Sequence, residues 1–303
     1  MRNNHVKAIG VSLVLLSLAA CTSVPDDRGA YHVQELVDEQ IGTENQASVI
    51  DPENALTPEE VNNLLTQPLS LADAELISMQ VNPMAKTGIL QVGIAEADYA
   101  QAGRLENPGF SYERMSGEEY SSTLLFDIGG LFLMPLKRDV EERRLERARY
   151  EAAGSVINHL AETRRAWINA VAEKQQTLWM ERALESAETG NNLTRQMSAL
   201  GHSGLIEAAE SEIFLSEMRA ALARQRLAED AARESLIQQL GLWGNRARAL
   251  TLPLELPALP ESPLEIASVE GQAIENRIDV QVAKANLESM AKSMDLTLSL
   301  IHI

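Results

Sequence analysis

Residues 139–243 contain no proline, so nothing in that stretch is barred from helix. Apolar or small residues recur at Leu145, Ala148, Ala152, Val156, Leu160, Trp167, Val171, Leu178 and Leu184, in steps of three or four or of two such steps together. This spacing keeps one stripe of a helix turned towards a partner. Charged residues such as Glu141, Arg143, Glu146, Arg149, Glu162 and Arg164 occupy positions between them. At 1.5 Å per residue, a helix over 139–198 would be roughly 90 Å long, more than a compact domain requires. Leu200-Gly201-His202-Ser203-Gly204 follows, and its glycines make it the natural point of reversal. The return arm carries Leu205, Ala209, Leu222, Leu227, Ala231, Leu236 and Leu240 and stops at Gly241, a C-terminal cap. Alanine is frequent along the stripe, and small knobs let helices approach closely.

A second kind of pattern precedes this pair. Residues 110–136 begin an alternation at Phe110 and Tyr112, offer a turn at Ser116-Gly117-Glu118-Glu119, and continue with Thr, Phe, Leu and Ile to Met134. This predicts a β-hairpin. Two strands alone are not stable in water. They are either a small soluble hairpin packed on the helices or strands given to a closed barrel in a membrane.

Arg2, His5 and Lys7 stand before an apolar run, residues 8–20, too short to span a bilayer and therefore a secretory signal. The run closes Leu18-Ala19-Ala20-Cys21, and Cys21 is the only cysteine in the chain. That ending resembles the bacterial lipobox, which implies lipidation of Cys21. The alternative is a plain signal peptide with an incidental cysteine. Thr22 follows rather than aspartate, which by the same resemblance implies the outer membrane. Without the signal, 24 basic residues face 44 acidic ones. Such acidity disfavours nucleic acid as a partner.

Residues 22–68 are polar and punctuated by proline, an extended leader with one short helix near 58–66, where Thr57 is the N-cap and Pro58 the first helical position. Residues 69–105 predict helix in two pieces divided at Pro83, with Ser70 and Asp73 as a loose capping box. Residues 250–263 hold four prolines and cannot be helix. A further helix is expected from about 264 to 296, with Asn276 placed as Asn82 is in the earlier one, a hint of an internal repeat. The ending Ile301-His302-Ile303 reads as the approach to a second hairpin, so the expectation is a chain truncated after its first repeat.

The order of these segments resembles that of the TolC-like outer-membrane efflux proteins. Leu69-Ser70-Leu71 through Asn82-Pro83 resembles the family's opening. Glu106-Asn107-Pro108-Gly109-Phe110-Ser111-Tyr112-Glu113 resembles the entry into its first membrane strand, and Met134-Pro135-Leu136 the exit from its second. Residues 199–208 resemble its helical tip, and Leu236-Ile237-Gln238-Gln239-Leu240-Gly241 the close of its return helix. Glu275-Asn276-Arg277-Ile278-Asp279-Val280 resembles the start of the second repeat, with Ile278 where proline is usual. The glycine pair that usually follows Pro-Leu is absent at Lys137-Arg138-Asp139.

The resemblance implies a mainly α fold: a long antiparallel α-helical hairpin forming part of a coiled-coil tunnel, and a two-stranded β-hairpin contributed to a trimeric outer-membrane β-barrel. The segments are then a lipoprotein signal at 1–21, a leader at 22–68, a first equatorial or tunnel helix at 69–105 and a membrane β-hairpin at 106–137. A periplasmic α-hairpin at 138–243 with its tip at 199–204, a crossover at 244–263 and the start of a second repeat at 264–303 complete the chain. The membrane-strand residues are Phe110, Tyr112, Leu124, Phe126, Ile128 and Phe132. The tip residues Leu200, Gly201, His202, Ser203 and Gly204 would dock a periplasmic adaptor. The implied role is a homotrimeric, lipid-anchored channel of a tripartite resistance-nodulation-division exporter, passing cargo passively while an inner-membrane pump supplies energy. The Asn-Pro-x-x-Ser-Tyr-Glu wording resembles the branch that exports metal cations. No catalytic residue, cofactor or metal site is expected, because the five histidines are scattered and no phosphate loop or nucleophile elbow occurs. The alternative is a lipid-anchored periplasmic coiled-coil adaptor or scaffold without a pore.

Overall fold

The computed structural model describes residues 29–41, 56–114, 120–259, 271, 274 and 277–302. The expected signal segment with Cys21, the expected turn at 116–119, Asn276 and the later part of the expected crossover lie outside the described residues. The described elements are, in order, α1 (Ala30–Ile41), α2 (Pro58–Leu65), α3 (Leu71–Val81), α4 (Pro83–Ala102), β1 (Gly109–Arg114), β2 (Tyr120–Leu125), α5 (Ile128–Ala199), α6 (Leu205–Leu240), α7 (Asn245–Ala249) and α8 (Ile278–His302). The fold is mainly α, with a long antiparallel helical hairpin and a two-stranded antiparallel sheet. No described helix is long and apolar enough to cross a membrane. The chain divides into two compact units, residues 1–40 with 87–154 and 268–303, and residues 41–86 with 155–267.

The second of these units holds a hydrophobic core drawn from four helices. Val61 and Leu65 of α2, Leu69, Ala74 and Ile77 of α3 and its entry, Trp167, Ala170 and Val171 of α5, and Leu236 and Leu240 of α6 are buried together. Each such Leu or Val removed from water contributes about 1.5–3 kcal/mol. The Trp167 indole N–H donates to the Leu69 carbonyl at 2.9 Å, so the ring is buried without an orphan donor. Local chemistry starts the short helices. Thr57 accepts from the Glu60 amide while the Glu60 carboxylate accepts from the Thr57 amide, a full capping box with Pro58 at the first helical position. Ser70 caps α3 through the Asp73 amide at 3.1 Å.

The return helix α6 runs antiparallel to the later part of α5. Asn191 meets Glu212, Glu188 meets Arg219 and Glu181 meets Arg226 at 2.8–3.0 Å, each pair about equally far on either side of the reversal. The α5 stripe is buried from Ala152 to Val171 and only half-buried at Leu178 and Leu184. On α6, Leu222, Leu236 and Leu240 are buried, but Leu205, Ala209, Leu227 and Ala231 are exposed. The spacing marks a face of α6; it does not show how far along that face a partner extends.

In the other unit, α1 packs against α4. Val33, Val37 and Val92 are fully buried. Gly29 has φ +77, and a Cβ there would lie 2.5 Å from Val92 Cγ1, so this approach requires glycine. The leader was expected to carry one helix near 58–66; α1 is a second one. Arg149 of α5 donates to the buried Glu96 of α4 at 3.1 Å. Arg147 meets Asn286 of α8 at 3.2 Å, and Gly154 leaves room for Ile278.

The chain enters the long helix earlier than the sequence pattern suggests. Strand character was expected through Met134, yet α5 begins at Ile128. Asp127 is the reason: its carboxylate accepts the Gly130 amide at 2.8 Å, an N-cap two residues after β2. A Cβ at Gly130 would collide with that carboxylate, so the glycine fits the cap. Pro135 lies inside α5, where it removes one helical hydrogen bond.

Candidate functional site

Two places collect the residues that the sequence singles out. The first is the hairpin. β1 and β2 pair antiparallel with Phe110 opposite Leu124, Ser111 opposite Thr123 and Tyr112 opposite Ser122. Because side chains alternate along a strand, Phe110, Leu124, Tyr112 and Ser122 share one face, and Ser111, Thr123, Glu113 and Leu125 the other. The apolar face is uncovered: Phe110 is 69% exposed, Tyr112 60% and Leu124 58%. Phe126 lies between β2 and α5, also exposed. Ile128 and Phe132, expected in a strand, are in the first turns of α5, a correction that follows from the Asp127 cap. Both stay exposed, Phe132 at 75%. Exposed large apolar residues thus occur on the hairpin and in the first turns of α5 alike.

The second place is the reversal between α5 and α6. His202 N–H donates to the Met197 carbonyl at 2.9 Å and Gly201 N–H to the Ser198 carbonyl at 3.0 Å. With Gly201 at φ +78 this is a Schellman ending, and it accounts for glycine at that position. Gly204 then sits at the N-cap of α6 without a side-chain cap. Leu200, Leu205 and Ile206 stand 74–85% exposed around the turn, with His202 exposed and Ser203 half-buried. The hairpin and the reversal belong to different units.

A polar cluster within the second unit was not anticipated. Thr163 Oγ1 lies 3.1 Å from Ser78 Oγ, and Arg164 pairs with the nearly buried Glu75. Gln239 Nε2 lies 3.1 Å from His159 Nδ1. Burial pushes the His159 imidazole below its ordinary 6.5, and the Ser78 carbonyl opposes this in part. Among the described residues no group of three or more His, Cys, Asp or Glu side chains could hold a metal ion.

Solved structures share this fold. A membrane protein from Pseudomonas aeruginosa is 18% identical with a TM-score of 0.59, over 73% of this chain and 56% of that one. The outer membrane protein VceC from Vibrio cholerae is 14% identical with a TM-score of 0.60, over 76% and 58%. The Campylobacter jejuni CmeC outer membrane channel is 14% identical with a TM-score of 0.60, over 87% and 58%. No family model matches the chain, and no curated protein matches its sequence. The fold is that of the TolC-like outer-membrane channel proteins. The chain spans little more than half the length of those structures.

Proposed function

We propose that this chain is part of an outer-membrane efflux channel: a passive duct, with no catalytic residue, in a tripartite exporter of the resistance-nodulation-division type. The observation that carries the reading is the two-faced hairpin. Phe110, Tyr112 and Leu124, with Ser122, form an uncovered and mainly apolar face; the opposite face carries Ser111, Thr123 and Glu113, with Leu125 at its end. In water that face is a liability, whereas in a barrel wall it is the lipid side and the polar face lines the lumen. The likeness to VceC and CmeC supports the same reading through the fold. In this reading Phe126 flanks the band, and Ile128 and Phe132 extend it at the interface from α5.

The remaining assignments follow from the resemblance. Cys21 carries lipid in the outer membrane, three copies assemble, and Leu200, Gly201, His202, Ser203 and Gly204 meet a periplasmic adaptor linked to an inner-membrane pump. The segment boundaries given above describe the parts of that assembly, and the cargo is of the metal-cation class. One experiment separates the channel from a tethered scaffold. The chain is expressed behind a plain cleavable signal with Cys21→Ser, and outer membranes are washed with carbonate. A channel strand remains until detergent is added. Release into the wash would leave the scaffold.

A further inference from the structure

At the foot of the hairpin, the end of α4, the link before β1, the early part of α5 and the later part of α8 enclose a groove of about 780 Å³. Its walls carry Arg104, Lys137 and Arg144 together with Asp98, Glu106 and Glu141. We infer that this groove binds the headgroup of a zwitterionic phospholipid, a phosphodiester beside a primary ammonium, as in phosphatidylethanolamine.

Charge complementarity selects this occupant. Three cations and three carboxylates line one space, so a phosphate alone would meet as much repulsion as attraction. A headgroup carrying both signs a few ångströms apart satisfies both sets. Glu106 and Lys137 approach only to 3.9 Å and are 72% and 41% exposed at the side chain, a pair loose enough to open around a ligand. Arg144 and Glu141 at 2.6 Å supply a second, tighter cation–carboxylate edge. The volume lies within the usual range for small-ligand sites, about 300–1,000 Å³. Leu105 and Leu296 add apolar wall where the glycerol and first acyl carbons would leave.

Position supports the same occupant. Lys137 lies five residues along α5 from Phe132, which is 75% exposed; that separation is about 7.5 Å of helix axis. Asn107 lies two residues before β1. If the hairpin's apolar face meets lipid, as proposed above, the groove sits at headgroup level; the inference rests on that reading.

The test uses the full chain, delipidated in mild detergent, and titrates dihexanoyl phosphatidylethanolamine by native mass spectrometry. Dihexanoyl phosphatidylglycerol and inorganic phosphate are titrated alongside. The expected result is at least tenfold tighter binding of phosphatidylethanolamine than of either. Lys137→Glu and Glu106→Lys should each weaken it about tenfold, with Lys137→Arg retaining it and circular dichroism unchanged in all three. Equal binding of phosphatidylglycerol or phosphate, or no effect of the charge reversals, overturns the proposal. Because the probe is a soluble lipid, a negative result here is distinct from failure of the hairpin to face a bilayer, which spin labels on the hairpin read separately.

Discussion

Gly241 is seated directly on the backbone of Asn82. A Cβ at Gly241 would lie 2.7 Å from the Asn82 Cα, and Gly241 has φ +67. The Asn82 side-chain Nδ2 donates to the Gln239 carbonyl at 2.8 Å, and its Oδ1 accepts the Met84 backbone amide at 3.0 Å. One residue therefore separates α3 from α4 and also caps the end of α6. Gly241→Ala meets both a left-handed backbone and a backbone neighbour, and should destabilise by about 2–3 kcal/mol. Gly201→Ala has the same backbone strain at φ +78 but open space around it, and should cost only about 1 kcal/mol. Urea unfolding of the two variants gives the comparison; equal losses would remove the packing argument.

Trp167→Phe keeps most of the ring volume but leaves the buried Leu69 carbonyl without its donor. The expected loss is about 1–3 kcal/mol. Trp167→Ala, which adds a cavity, should cost about 3–5 kcal/mol. Thermal unfolding of both variants checks the ranking.

Glu96 is only 4% exposed and relies on Arg149 at 3.1 Å. Arg149→Met leaves that carboxylate buried and unpaired, for a loss of about 3–5 kcal/mol. Arg149→Met with Glu96→Gln should recover much of it. A double-mutant cycle in urea measures the difference, and additive single effects would contradict a coupled pair.

The long hairpin was legible in the sequence because steps of three and four over many turns have no other reading. The start of α5 was not. Ile128 and Phe132 have the composition of a strand, and the Asp127 carboxylate that turns them into helix is a single side chain acting three residues away. Helix α1 was missed although Ala30, Val33 and Val37 have helical spacing, because the segment lies among polar, proline-bearing sequence. The seat of Gly241 on Asn82 and the charged groove at the foot of the hairpin bring together residues far apart in the chain. No local pattern announces such a meeting.

His159 gives a pH dependence. Burial lowers its pKa in the folded protein below the ordinary 6.5. Folding therefore favours the neutral ring: the associated stability is complete above about pH 6.5 and is lost as pH falls through the folded value. Difference stability curves of the wild type and His159→Gln between pH 7.5 and about 5 should diverge on the acid side, with the wild type falling more steeply. Parallel curves would contradict this.

The central claim is that the apolar face of β1–β2 meets lipid. Nitroxide labels placed singly at Phe110, Leu124, Ser111 and Thr123, in the chain in outer-membrane vesicles, test it through collision with oxygen and with a water-soluble nickel complex. The account predicts that labels at 110 and 124 collide mainly with oxygen and those at 111 and 123 mainly with nickel. Equal nickel access at all four positions would contradict it and leave a hairpin in water.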